Sequence, residues 1–174
     1  MCFHPGAMKE QIAIRPASVG DVPLILRFVR ELAAYEKLTH EVTATEDLLR
    51  RNLFGEHSST EVLLAEWDGH PAGFAVFFQN FSTFLGKPGI YLEDLFVLPE
   101  FRGRGCGKAM MVHLARLARR RDCGRFEWAV LDWNKPSLDF YHSIGALPLE
   151  EWTVQRLTGP ALAALAAQKL PGET

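Results

Sequence analysis

The residues best suited to chemistry lie in one short run, Arg102-Gly103-Arg104-Gly105-Cys106-Gly107-Lys108, between a stretch that reads as a strand and one that reads as a helix. Such a turn presents backbone N–H groups beside the positive end of a helix dipole, and its glycines let an anion approach with no Cβ in the way. Phosphate is the natural guest, and the spacing can be compared with three phosphate loops. A Walker A loop fails twice, because Arg102 stands where its first glycine belongs and Ala109 follows Lys108 where Ser or Thr is needed. A Rossmann fingerprint would require glycine at Lys108 and a tighter turn after Val97. The pattern that fits is Arg-x-x-Gly-x-Gly, at Arg102, Gly105 and Gly107. Glu93 and Asp94 form a second candidate. As neighbours on a strand they point to opposite faces, so only one is expected to meet a ligand.

Charge agrees with an anionic guest of cofactor size. Residues 101–125 carry eight basic side chains against Asp122 alone, a local +7 in a chain whose net charge is −2, which leaves −9 for the rest. The overall balance argues against nucleic acid as a partner, while the surplus acidity suits a cationic second ligand. Arg119, Arg120 and Arg121 have an equally good account as cations complementing a helix C-terminus. His40, His57, His70, His113 and His142 show no pair spacing for a metal, and none is expected. Cys2, Cys106 and Cys123 lack C-x-x-C spacing, so neither a disulfide framework nor a cysteine zinc site is expected, and a reducing cytoplasm is the default setting. Cys106, at a helix N-terminus, either has a lowered thiol pKa or simply fits between glycines.

Those groups must be positioned by a mixed set of elements. Gln11 to Pro16 reads as a strand, and Ser18-x-x-Asp21 opens a helix running through Tyr35. Thr43-x-x-Glu46 signals a second helix that stops near Gly55. Glu61 to Trp67 and Gly73 to Phe81 are strands joined at Asp68-Gly69, whose residue types suit a hairpin turn. Ile90 to Leu98 is a fourth strand, about Gly105 to Arg121 a helix ended by Gly124, and Arg125 to Asp132 a fifth strand. Asn134-Lys135-Pro136-Ser137 opens a short helix closed by Gly145, Trp152 to Leu157 reads as a last strand, and Pro160 to Leu170 is helical by propensity. The length of 174 residues, with 48% hydrophobic and 23% charged, fits one globular α/β domain over 8–174. No apolar run approaches the roughly 18 residues of a membrane span. Residues 1–7 have no apolar core and read as a leader or cloning remnant.

Leu98-Pro99-Glu100-Phe101 followed by the Arg102 loop resembles the pyrophosphate loop of the GNAT N-acetyltransferases. Arg15-Pro16-Ala17, Glu31-Leu32-Ala33-Ala34-Tyr35-Glu36, Phe54-Gly55-Glu56-His57, Tyr91-Leu92-Glu93-Asp94-Leu95-Phe96-Val97 and Trp133-Asn134…Phe140-Tyr141 are similar to the diamine acetyltransferase family, which includes spermidine/spermine acetyltransferases. Ala129 to Asn134 and Ser82-Thr83 look closer to its thialysine N-ε-acetyltransferase branch.

The resemblance implies a mostly antiparallel sheet splayed between strands 4 and 5 and flanked by helices, a homodimer, and acetyl-CoA as co-substrate for direct attack by a primary amine. It implies Tyr141 as general acid for the leaving thiolate and Glu93 as amine-binding carboxylate and possible water-relayed base. Leu95, Phe96 and Val97 would line the pantetheine arm, with a carbonyl-binding amide at or beside Leu95. Arg102, Gly103, Arg104, Gly105, Cys106, Gly107 and Lys108 would hold the pyrophosphate, and Asn134, Lys135, Pro136 and Ser137 complete the expected cofactor contacts. Tyr35, Glu36, Glu127, Trp128, Ala129 and Glu151 are implied as further amine contacts. Ser82 and Phe84 stand where spermidine/spermine enzymes carry an Asp and a Trp, which disfavours long polycations and points to a thialysine-like amino acid or a short diamine. An acyl-CoA-binding sensor and a protein N-acetyltransferase remain alternatives on the same loop.

Overall fold

Asp68 and Gly69 both adopt positive φ, 48° and 78°, as a two-residue turn between right-twisted strands requires. They join β2 (Thr60–Trp67) to β3 (His70–Ser82) in the computed structural model, which describes residues 11–172. The expected leader, residues 1–7, lies outside the described residues. The chain forms two compact units that divide after Ala129.

The first unit is built on a five-stranded sheet in the order β1-β2-β3-β4-β5, with β1 (Ile12–Pro16), β4 (Lys87–Val97) and β5 (Arg125–Trp128). All neighbours are antiparallel except β4 and β5, which are parallel. Helix α1 (Val22–Tyr35) places Ile25 and Phe28 against Val62, Leu64, Phe74, Val76 and Phe96, with the Phe28 and Phe74 rings stacked at 5.4 Å. Strand alternation turns the buried Leu63 and Ala65 to the opposite face. Helix α3 (Cys106–Arg120), burying Met110, Met111 and Leu114, packs against β1 to β4. Covering a central strand on both faces explains the unbroken apolar runs of β2 and β3. Each fully buried side chain of this kind contributes ~1.5–3 kcal/mol.

Caps and turns fix where these elements begin and end. The Ser18 N–H and hydroxyl both donate to Asp21 Oδ2, at 2.7 and 2.9 Å, across a single 3-10 turn (Val19–Asp21) that leads into α1. Arg15 binds the same Asp21 with two nitrogens, at 2.9 and 2.8 Å, and Glu66 with Nε at 2.8 Å, tying β1 to α1 and β2. These bonds hold the Asp21 carboxyl far below the ordinary carboxylate range. Helix α2 (Glu46–Phe54) is capped by Thr45, whose Oγ1 accepts from Leu48 N–H at 3.2 Å, and not by the expected Thr43. The left-handed residue ending α3 is Asp122, with Cys123 N–H donating to Ala118 O at 2.9 Å, and not Gly124. Gly124 instead lets the chain pass the β3–β4 turn, since a Cβ there would stand 2.8 Å from Leu85 Cδ1.

Two departures from ideal pairing shape the middle of the sheet. Val76 pairs with Asp94 while Phe77 pairs with Leu92, so Glu93 is the extra residue of a β-bulge. β4 and β5 pair only from Gly89↔Arg125 to Leu92↔Trp128, whereas β4 continues to Val97. Beyond Leu92 no strand among the described residues lies beside that edge of β4, which is the expected splay. β5 itself ends at Trp128, four residues before the expected Asp132.

In the second unit Asn134, itself buried, caps α4 (Lys135–Ser143) by accepting from Ser137 N–H. Gly145 closes it at φ 87°, as expected, with Ala146 N–H on Tyr141 O at 3.1 Å. Helix α5 spans Gly159–Ala166. The expected strand Trp152 to Leu157 does not form. The segment pairs with no strand among the described residues, and β propensity alone does not order a strand.

Candidate active site

After β4 the chain makes one 3-10 turn (Pro99–Phe101) and enters the glycine loop. Gly103 and Gly105 take φ of 73° and 92°, conformations that L side chains rarely adopt. The first bond of α3 runs from Ala109 N–H to Gly105 O at 2.8 Å, so the amides of Cys106, Gly107 and Lys108 precede any intrahelical acceptor. Gly107 differs from its neighbours in an informative way. Its φ is not positive, and a Cβ there would meet only Val97 Cγ2, at an ordinary 3.8 Å. Packing therefore leaves room for alanine, which would favour the helix by ~0.5–1 kcal/mol. Neither its backbone nor its packing requires glycine at 107.

The loop's cations are anchored on aromatic rings. The Arg102 guanidinium lies 4.6 Å from the Tyr35 ring centroid and 5.5 Å from that of Phe96, with Nε donating to Val97 O at 2.9 Å. Arg104 stacks 5.2 Å over Trp67 and 6.0 Å from Phe101. Lys108 is exposed. Cys106 is buried and its thiol is pushed up, chiefly by that burial, so the reactive-thiol alternative gives way to the packing one.

The bulge changes the expected geometry of the carboxylates. Strict alternation, which separated Glu93 from Asp94, does not hold across an extra residue. Glu93 is exposed, whereas Asp94 is half-buried and its pKa is pushed up to about 6. Burial is the largest cause, followed by the charges of Glu93 and Glu36. Glu36 follows Tyr35 at the end of α1 and is also raised by burial. The structure thus brings Glu36, Glu93 and Asp94 into one electrostatic group beside the open stretch of β4. Asp94 is the site candidate that the sequence passed over, because the bulge that uncovers it has no signature in residue types.

Other expected residues are placed less directly. Leu95 and Val97 are half-buried on the open stretch of β4, whereas the Phe96 side chain belongs to the core and can line an arm only through its backbone. Glu127 is already engaged in the sheet, with Oε2 accepting from Asn80 Nδ2 at 3.1 Å and standing 2.8 Å from Arg125 Nε. Trp128 ends β5, packed on Phe126 with ring centroids 5.0 Å apart, and Ala129 closes the first unit. Ser82 is buried, its Oγ accepting from Leu85 N–H at 3.3 Å, while Phe84 at the same hairpin tip is 93% exposed. Within the second unit, Tyr141 lies on α4 with its ring 5.4 Å from that of Phe140. Lys135 Nζ pairs with Asp139 at 2.7 Å, Pro136 and Ser137 form the first turn, and Glu151 is exposed.

A half-open parallel pair, a bulged strand with raised carboxyls and a helix start with three leading amides meet in the first α/β unit. The model of the acetyltransferase (GNAT) family matches residues 26–146, and the chain belongs to that family. It is 40% identical over 168 residues to a thialysine N-epsilon-acetyltransferase of Sus scrofa, covering 90% of this chain and 98% of the relative. It is 32% identical over 197 aligned residues to an L-ornithine N5-acetyltransferase of Arabidopsis thaliana, covering 87% and 86%. Among solved structures, an integron cassette protein from the mobile metagenome of V. cholerae matches with a TM-score of 0.77 and 29% identity, covering 90% of this chain and 98% of that one. The protein is accordingly an N-acetyltransferase whose relatives act on small-molecule amines.

Proposed function

We propose that the protein transfers the acetyl group of acetyl-CoA to a primary amine of a small molecule, either a thialysine-like amino acid or a short diamine. The observation that carries the cofactor reading is Gly107, a helix-start glycine that the protein's own packing does not require. The amides of Gly103 to Lys108 would hold the pyrophosphate at the positive end of α3, while Leu95 and Val97 flank the arm along the open stretch of β4. Acetyl-CoA, when bound, supplies a thioester that a neutral amine attacks directly.

The chain's own residues supply charge and proton transfer. Glu93, exposed on the bulge, holds the ammonium, with Glu36 and Tyr35 beside it. Asp94, with its pKa near 6, is the carboxyl better matched to accepting the amine proton, since a base works best when its pKa lies near the working pH. Tyr141 Oη is the donor to the departing thiolate, a role suited to a phenol of pKa ~10. Relatives named for thialysine and L-ornithine support a small amino acid as acceptor. The Ser82 hydroxyl, spent on its own turn, offers no charge to a polyamine. A homodimer is the assembly that the resemblance to the diamine acetyltransferases implies. Among the described residues no helix is long and apolar enough to cross a membrane, and a cytoplasmic location fits the free Cys106 and Cys123.

An acetyl-CoA turnover screen over thialysine, L-ornithine, short diamines and spermine tests the reading. The expected order places thialysine or a short diamine above spermine in kcat/KM, and Glu93→Gln raises KM for the amine more than for acetyl-CoA. Spermine at the top would overturn the branch. No turnover with any amine would overturn the substrate class.

A further inference from the structure

Arg102 opens the glycine loop, yet its side chain is committed elsewhere. Its guanidinium covers the Tyr35 ring at 4.6 Å and reaches Phe96 at 5.5 Å, and its Nε bonds Val97 O at 2.9 Å. One side chain thereby links three segments: the loop, the C-terminal end of α1 and the last residues of β4. Arg104, two residues on, makes no such link and stacks on Trp67 and Phe101.

The consequence is one of charge. An aromatic face attracts a cation, and this face already holds one. An ammonium group approaching Tyr35 and Glu36 meets the resident guanidinium and is opposed by its like charge. A diphosphate arriving at the loop brings negative charge to the residue that begins that loop, and so offsets the guanidinium or draws it from the ring. Resting on the acetyl-CoA and amine reading above, we infer that Arg102 is a positioning residue that couples the two sites. With the loop empty it holds off the cationic amine, and CoA relieves the opposition, so that CoA binding tightens amine binding. Linkage requires the reverse as well, the amine tightening CoA by the same factor.

Calorimetry on the full chain tests this, with CoA rather than acetyl-CoA so that nothing turns over, and thialysine or 1,4-diaminobutane as the amine probe. In the unaltered protein CoA should improve amine affinity about two- to fivefold, the fold-change that corresponds to an exposed cation–π contact of ~0.5–1 kcal/mol. Arg102→Gln should bind the amine without CoA about as tightly as the unaltered protein binds it with CoA, and its coupling factor should fall to about one. Arg102→Lys, which keeps the charge, should retain coupling of the same sign. A purely structural role for the bond to Val97 would instead weaken amine binding in both variants and leave the ratio intact, which overturns the inference. CoA binding with an unchanged ratio in Arg102→Gln also overturns it while leaving the acetyltransferase reading in place, whereas a protein that binds no CoA overturns both.

Discussion

Asp94→Asn should make the protein more stable and less active, and the gain in stability should depend on pH. The Asp94 carboxyl titrates at about 6 in the fold against 3.8 for the ordinary group, because it is withdrawn from water and faces the charges of Glu93 and Glu36. A raised folded pKa means that the native state binds the proton more tightly than the unfolded chain. The ionised carboxylate therefore costs stability as pH climbs from about 4 through about 6, and below that window the cost is absent. A gap of about two pKa units sets an upper bound of ~3 kcal/mol at pH 8, at 1.36 kcal/mol per unit. Solvent screening at a half-buried site lowers that bound, and ~1–3 kcal/mol is the working expectation. Asparagine keeps the shape and cannot ionise. Urea denaturation at pH 4, 6 and 8 should show a stability difference near zero at pH 4 that grows with pH, and at pH 8 a melting temperature raised by ~2–4 °C per kcal/mol. The same variant should lose the acidic limb of the kcat/KM profile near pH 6. A variant destabilised more at pH 8 than at pH 4 would show that the Asp94 carboxylate makes a favourable bond, and the reasoning from burial and repulsion would fail.

Gly107→Ala should fold as well as the parent and bind CoA at least tenfold more weakly, a loss of ~1.4 kcal/mol, as read by calorimetry. Unchanged affinity would remove the loop from the cofactor site. Tyr141→Phe should lower kcat by ~10²- to 10⁴-fold while acetyl-CoA affinity stays within severalfold, and full turnover across pH would assign the proton to another group or to water.

Much of the architecture was legible because it is written in local chemistry. Asp-Gly between two alternating runs dictates a hairpin, the Ser18–Asp21 box dictates a helix start, and the apolar spacing of α1 and α3 dictates which faces are buried. Misplaced boundaries arose where two chemically equal residues compete. Thr43 and Thr45 are both good caps, and only the observed bond from Leu48 N–H chooses Thr45. Trp152 to Leu157 has strand-forming residue types, but a strand is a relation between two chains of hydrogen bonds and has no local signature of its partner. The bulge at Glu93 belongs to the same class. It is a mismatch of one residue between β3 and β4, so neither sequence alone contains it.

The glycines show how structure separates what composition treats as equal. Gly105 is demanded by its own backbone at φ 92°, whereas at Gly124 an added Cβ would have to push aside the exposed Leu85 side chain, whose Cδ1 stands 2.8 Å away. A valine at 105 would be strained whatever the ligand, so a binding defect there could not be told from a folding defect. At Gly107 neither demand exists, since φ is ordinary and the nearest neighbour of an added Cβ lies at 3.8 Å. A glycine at a helix start against its own helix propensity, with space above it and three leading amides around it, suits the proposed diphosphate at the loop. Of the three glycines in the Arg102 motif, 107 is therefore the one whose substitution reads out ligand binding without also reading out the fold.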